Sequence, residues 1–466
     1  MRSGRGSVPA ANLFAPSGRY ATIPPTMKIL LIDAAACFLD YALRCTAAGH
    51  EVRVFMGPDK KGNRFPVGDG LITKVTDWQP HMKWADLILT SDNCKYIREL
   101  EGFRARGFPI WGPNLEGTAW ELERGTGQRV FEAHGIPCIP SLIFRNYDEA
   151  IEHLSANPDK RYVSKPTGDA DKALSYVSKS SQDMMFMLEQ WKRSQKKKVP
   201  FLFQEFVPGI EMAVGGWVGR NGFLSHFLEN FEFKKLMPGE IGVNTGEMGT
   251  AMRYVTAEQS LLARKVLLPL EAALIRSGYT GYIDVAVIID KKGNPWPLEF
   301  TSRPGWPLFQ IQQVLHKDPA QWMLDALQGR DSFEVYPEIA VGVVVAIPDF
   351  PYGHLSRKDV CGYPVWGMTD KNRYWIHPCE MMLGEAPVLE NGKLKKEAMM
   401  VTAGDYVLVT TGAGSSVDAA REGAYKHLKE LEIPNSPIYR NDIGKRLETQ
   451  LPELQKLGYA TEWKWD

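Results

Sequence analysis

The sequence predicts an α/β protein: an N-terminal doubly wound parallel sheet, a central α/β body and a small C-terminal β-rich domain. Three observations carry this reading. From Met27 onward, short apolar runs alternate with stretches of helical periodicity, the pattern of parallel sheets covered by helices. After about residue 334 strand-like runs dominate. At 466 residues the chain also exceeds one ordinary core, so several domains are expected.

Residues 1–26 are rich in Ser, Gly, Pro and Ala, and carry Arg2, Arg5 and Arg19 with no acid. They lack the apolar core of a signal peptide, and their prolines spoil an amphipathic transit helix. They read as a disordered leader, either added or from an upstream start, ahead of Met27 as initiator. Residues 28–34, 50–56, 85–92 and 109–112 read as strands, and 38–48 as a helix stopped by Gly49. A helix closes over 129–135. Residues 161–165 and 201–206 are strands flanking a helix at 182–192, and the basic run at 195–198 is a solvated loop. Thr256 and Gln259 form a capping box that opens one long helix to Ser277 and Gly278. Residues 281–290 and 295–301 are a hairpin; 339–347, 374–377 and 406–410 are later strands, followed by a helix over 416–430. The expected domains are 27–125, 126–333 with a small lobe at about 140–207, and 334–446, with 447–466 as a tail.

Composition narrows the function. Hydrophobic content of 44% with 24% charge is that of a globular protein. The 55 basic and 55 acidic residues cancel, so nucleic acid is not expected as the primary partner. No run is long enough to span a membrane. The six cysteines are scattered, without a C-x-x-C pair or a nearby histidine cluster. That argues against disulfides and zinc and for a reducing cytoplasm.

The hairpin is the most informative element. With its turn centred between Lys291 and Lys292, Asp284 falls opposite Glu299. Two facing carboxylates repel unless a cation lies between them, and a hard divalent ion completed by phosphates answers that need. A one-residue bulge at Gly293 would instead turn Asp284 to the other face.

The stretch 282–305 resembles the metal-binding hairpin of ATP-grasp enzymes, with Glu299 at the family glutamate and Thr301 where asparagine is usual. Other segments extend the resemblance. Lys165, in the run Val163–Pro166, is similar to the strand lysine on the nucleotide phosphates. Residues 204–211 resemble the interlobe hinge, implying that Glu205 and Val207 read adenine and Glu211 holds ribose. The run Asn244-Thr245-Gly246-Glu247-Met248-Gly249 resembles a family loop ending Asn-Thr-Gly-Gly-Met-Gly, with Lys234 ahead of it as a phosphate contact. Residues 386–412 and 439–444 resemble the C-terminal part of phosphoribosylamine–glycine ligases. The resemblance to that ligase family therefore runs from about Met27 to Arg446.

It implies an ADP-forming carboxylate–amine ligase working through an acyl phosphate, with ATP and Mg2+ (or Mn2+) as cofactors. Glycine is the first candidate acid, and the partners are small-molecule acids and amines. Lys165, Lys172, Glu205, Val207, Glu211 and Arg129 would bind ATP; Glu299, Asp284 and Thr301 would hold metal. Asn244, Thr245, Gly246 and Arg303 would contact substrate, with Arg303 and Lys234 at the reacting groups. A monomer or homodimer is expected. The departures cluster: Asp33–Asp40 replaces a Gly-Gly-Arg-Glu-His-type loop, and 90–94 replaces a Gly-Pro-Glu-type turn. The phosphate-covering loop is Gly168-Asp169-Ala170-Asp171-Lys172-Ala173, and Gln128 with Arg129 beside it stands at an expected lysine. The same chemistry on a different acid and amine pair, or a non-catalytic nucleotide-binding relative, are the alternatives. A dehydrogenase is disfavoured, because no G-x-G-x-x-G follows the first strand.

Overall fold

In the computed structural model, residues 26–58, 62–93, 95–166, 176–194 and 200–466 are described. The leader, Cys94, the loop with Lys172 and the basic run at 195–198 lie outside them.

The N-terminal sheet contains β1 (Lys28–Asp33), β2 (Glu51–Met56), β3 (Lys74–Val75), β4 (Leu87–Thr90) and β5 (Ile110–Trp111), ordered β3-β2-β1-β4-β5 and parallel throughout. Ile29, Leu30, Leu31 and Ile32 are all buried, as expected of a parallel strand covered on both faces. The helix Leu39–Ala47 returns the chain to β2. Gly49 ends that turn at φ +92°, where a side chain would be strained. Strand order reverses between β1 and β4, and open α/β sheets hold ligands outside the carboxyl ends of strands at such a point. The rebuilt segment Asp33–Asp40 and the described part of the other, residues 90–93, both leave from there.

Strands β6 (Ser141–Phe144), β7 (Tyr162–Pro166), β8 (Tyr176–Val177) and β9 (Phe201–Glu205) form an antiparallel sheet ordered β6-β9-β7-β8. The helices Tyr147–Ala156 and Ser181–Arg193 pack on it through Leu154, Met184, Leu188 and Trp191. Each starts with a side-chain cap: Asn146 accepts from the Glu149 amide and Ser180 from the Asp183 amide.

The largest sheet is eight-stranded and contains β10 (Gly209–Gly219), β11 (Gly222–Glu232), β14 (Gly249–Val255), β15 (Gly281–Asp290), β16 (Pro295–Thr301), β17 (Ile339–Ala346), β19 (Ile376–Pro378) and β22 (Tyr406–Gly414). Its order is β16-β15-β10-β11-β14-β17-β22-β19. The expected small domain after residue 334 therefore gives three strands to this sheet, and the strands on either side of that boundary share one core. Strands β12 (Lys235–Met237) and β13 (Ile241–Asn244) form a short flap. Strands β18 (Cys361–Pro364), β20 (Met381–Glu390) and β21 (Lys393–Ala403) form a separate three-stranded sheet.

Two expectations change. The long helix after Thr256 is divided into a π-helical turn (Ala263–Leu267), a 3-10 turn (Leu268–Leu270) and an α-helix (Glu271–Ser277). Pro269 has no amide to donate and crowds the preceding turn, which breaks the ladder. Gln259 Oε1 does accept from the Thr256 amide at 2.9 Å, but Ser260 is the cap that meets a helix amide, accepting from Ala263 at 3.0 Å.

The hairpin register also differs. Asp284 lies opposite Thr301, and Glu299 opposite Ala286, with an irregularity between Ala286 and Val287. Asp290 Oδ1 accepts from the amides of Lys292 and Asn294, which widens the turn around Gly293 at φ +81°. Pro295 and Pro297 donate no ladder bond on this edge strand, and bulges gather at such positions. The turn and the bulge each shift the register by one residue. Asp284 and Glu299 thus share a face after all, one cross-strand pair apart.

Candidate active site

The strand registers assemble one polar face. Thr301, Asp284 and Gly215 form a cross-strand row, and Glu299, Ala286, Ala213 and Asn230 form the next. Residues directly opposite in a ladder point to the same side. Glu211 continues that face on β10 and Glu232 on β11. The small residues Gly215, Ala213 and Ala286 lie between the charged groups, and the Tyr282 ring occupies the space over Gly215, where an added Cβ would collide with its hydroxyl.

Asp284 is 2% exposed and accepts from Asn230 Nδ2 and the Tyr282 hydroxyl, each at 3.1 Å. Burial first, then the carboxylate of Glu232, raises its pKa; the two hydrogen bonds oppose this. Glu299 accepts from Arg124 Nη1 at 2.7 Å. Burial alone would raise its pKa, but Lys165, Arg124 and Lys234 together bring it down to about 2. Lys165 reaches this group from β7 of the smaller sheet. Burial, only partly offset by Glu299, lowers its pKa to about 8. Lys234 Nζ lies 2.9 Å from Glu211 Oε1 and 3.0 Å from Glu232 Oε2. Glu211 is held below the usual carboxylate range, chiefly by Lys234.

The expected residues are distributed as follows. Lys165, Glu211, Lys234, Asp284, Glu299 and Thr301 converge on this face. Glu205 sits at the junction of β9 and β10, where its carboxylate pairs with Lys160 at 2.5 Å and its amide donates to Pro140 O at 3.1 Å. The Phe206 amide donates to Arg161 O at 2.8 Å, and Val207 follows at the hinge. Thr245 donates through both its amide and its hydroxyl to Lys234 O, at 2.8 and 2.9 Å. Asn244 pairs with Lys235 in the flap, and Gly246 is exposed. Arg129 is exposed and bonds Thr126 Oγ1 at 2.8 Å, so the arginine that meets Glu299 is Arg124.

Arg303 stands at the other end, where Nε lies 3.3 Å from Glu121 Oε1. Glu121 Oε2 accepts from Asn93 Nδ2 and the Ser302 amide, both at 2.7 Å. This carboxylate therefore ties the segment after β4 to the end of β16. Asp33, at the end of β1, accepts from the Cys37 and Phe38 amides at 3.0 and 2.8 Å. The rebuilt segments and Arg303 thus border one crevice. Asp40 turns away from it into a buried cluster: Arg44 Nε bonds both its oxygens at 3.1 and 2.9 Å, and His377 Nδ1 meets Oδ2 at 2.8 Å.

Sequence reasoning missed Arg124, Glu121 and Arg446. Their partners are distant in sequence, so no local pattern marks them. The stacking of Phe131 on Phe300 (centroids 4.2 Å apart) and the side-chain-free Gly127 bring the Arg124 helix onto β16. Arg446 Nη2 donates to Glu232 O at 2.6 Å.

The small sheet that bears Lys165 and the larger sheet whose edge hairpin carries Asp284 and Glu299 make up an ATP-grasp fold, and solved structures agree on that fold. The structure of phosphoribosylamine–glycine ligase from Thermotoga maritima superposes with a TM-score of 0.68 at 19% identity, covering 90% of this chain and all of that one. The ADP complex of an N5-carboxyaminoimidazole ribonucleotide synthetase gives 0.55 at 14% identity, over 87% of this chain and 97% of that one. Among curated proteins, phosphoribosylamine–glycine ligase from Ralstonia nicotianae is 25% identical over 355 residues, 74% of this chain and 80% of its own length. The Salmonella typhimurium ligase is 24% identical over 445 residues, 90% and 98% of the two chains. No family model matches the chain. The chain is thus similar, at about 25% identity over about three quarters of its length, to several curated phosphoribosylamine–glycine ligases.

Proposed function

We propose that the chain is an ADP-forming ligase that joins a carboxylic acid to an amine through an acyl phosphate. The observation that carries this reading is Glu299 on the polar face with Lys165, Arg124 and Lys234 around it. A carboxylate among cations, on a face with a second acid, suits a polyanion together with a hard cation.

The residues fit Mg2+ (or Mn2+). Among the described residues no three His, Cys, Asp or Glu side chains are grouped to hold a metal. Magnesium, however, usually takes only one or two carboxylates and completes its shell with phosphates and water. Glu299 and Asp284 would hold it, with Thr301 beside them, and bound there it would neutralise charge on the transferred phosphoryl group. Lys165 and Lys234 would contact the phosphates, Glu211 the ribose, and the backbone at Glu205 and Val207 the adenine. Arg303, fixed by Glu121, would receive the acid carboxylate next to the transferred phosphoryl group. The chain's own contribution is placement and charge.

Glycine is the first candidate acid, since the relatives are named for it. The amine is the partner whose surroundings have changed, because the segments bordering its crevice, Asp33–Asp40 and 90–94, are rebuilt. The described cysteines are free thiols, which suits action in a reducing cytoplasm; a monomer or homodimer is the proposed assembly. No described helix is long and apolar enough to cross a membrane.

The test is trapping of the acyl phosphate. Purified protein with Mg·ATP, glycine and hydroxylamine should form the hydroxamate together with ADP, and Glu299→Ala should form neither. Absence of hydroxamate with every amino acid tried would remove this reading.

A further inference from the structure

The flap of β12 and β13 follows directly on Lys234, and every residue of β13 is exposed. A two-stranded ribbon of this size is not stable by itself, so its position depends on what holds its ends. Its turn is held by the C-terminal segment. Glu240 stands there at φ +59°, a conformation that is costly for a residue with a side chain. Its Oε1 accepts from Arg440 Nη2 at 2.7 Å and lies 3.4 Å from Arg446 Nη1. Beside it, the Gly239 amide donates to Asp442 Oδ2 at 2.9 Å.

The same two arginines bracket Lys234 along the chain. Arg446 Nη2 donates to Glu232 O at 2.6 Å, two residues before it, and Arg440 Nη1 donates to Lys235 O at 3.1 Å, one residue after it. Both guanidinium groups also lie against the buried Phe233 ring, with Cζ of Arg446 at 4.1 Å and Cζ of Arg440 at 5.2 Å from its centroid. Arg440 is fully buried, and its Nε and Nη2 each donate to Asp442 at 2.8 Å. All three of its guanidinium nitrogens are engaged within the protein, so Arg440 is not presented to a ligand. The Tyr425 hydroxyl donates to Arg440 O at 2.8 Å and accepts from the Ile443 amide at 3.0 Å, which fixes the segment to the helix Val417–Lys429.

We propose that Glu240, Arg440 and Arg446 form a clamp that positions Lys234 for the nucleotide phosphates. The C-terminal segment then takes part in nucleotide recognition through Lys234. This rests on the placement of Lys234 in the reading above. A guanidinium holds its acceptors in one fixed geometry. Lysine is a point charge on a flexible stem, and it gives up less freedom on binding when its backbone is already fixed.

The Glu240 side chain is 45% exposed, so it can be shortened without opening the core, as the buried Arg440 cannot. Calorimetry of the full chain with the magnesium complex of adenylyl imidodiphosphate compares the parent with Glu240→Ala, Lys234→Met and the double variant. Lys234→Met should weaken binding about tenfold or more, the loss of a charged hydrogen bond. Glu240→Ala should weaken it about threefold or more in the parent but less than about twofold in the Lys234→Met background, because residues that act through one group do not add. A merely structural role would weaken both backgrounds alike. That result, or a Glu240→Ala variant that binds as the parent does, would overturn the proposal and leave Lys234 on the phosphates. If Lys234→Met binds as the parent does, the placement of Lys234 falls and the clamp's role falls with it. Binding is read without turnover, so an absence of ligase activity would change none of these outcomes.

Discussion

Arg124 Nη1 lies 2.7 Å from Glu299 Oε2, joining the helix Arg124–Ala133 to the edge strand of the large sheet. The carboxylate that would bind metal is thus already neutralised by an arginine. Arg124 and a divalent ion then compete for it. Arg124→Gln should lower the Mg2+ concentration for half-maximal ADP release, and Glu299→Gln should raise it. A metal titration of both variants checks the opposed directions.

Lys165 carries a pH signature. Burial brings its pKa to about 8, so the ammonium is present below that pH and lost above it. Nucleotide affinity should therefore be flat up to about pH 8 and fall as pH rises further. Binding in that upper range should take up a proton. Lys165→Arg, which stays charged, should flatten the profile, as calorimetry at several pH values would reveal.

Asp284 is the buried acid whose ionised form is disfavoured, by burial and then by Glu232. Its pKa is raised in the folded state, so the folded protein gains stability from this group as pH falls toward the unfolded value, and loses it as pH rises. Asp284→Asn removes that penalty. At pH 8 the variant should melt higher than the parent while needing more Mg2+ for turnover.

The Asp40–Arg44–His377 cluster holds the first helix against β19 and β22. Arg44 is fully buried, and its Nη2 also donates to Tyr374 O at 2.8 Å. Arg44→Ala leaves Asp40 without its cation and should destabilise the chain by about 3–5 kcal/mol. Because the crevice loop 34–38 leads into this helix, the amine KM should rise more than the ATP KM. Denaturant unfolding and steady-state kinetics measure the two effects.

Much of the architecture was legible because it is local. The apolar run of β1, the glycine stop at Gly49 and the strand that carries Lys165 each follow from a few neighbouring residues. The hairpin shows where such reading ends. An Asx turn at Asp290 and a bulge beside Pro297 each move the register by one, and their sum restores the shared face while changing every pairing. Pro269 signals a break inside the long helix, although the capping box upstream suggests continuity. The joining of β17, β22 and β19 to the central sheet, and the contacts of Glu299 with Arg124 and of Glu121 with Arg303, depend on long-range packing. No periodicity records them.

The most direct measurement is ADP release by the purified chain from Mg·ATP across a panel of amino acids and amines, beside Glu299→Ala. Release that requires both an acid and an amine, and that Glu299→Ala abolishes, is the predicted result. Tight nucleotide binding with no release from any pair would contradict the ligase assignment and leave a nucleotide-binding protein in its place.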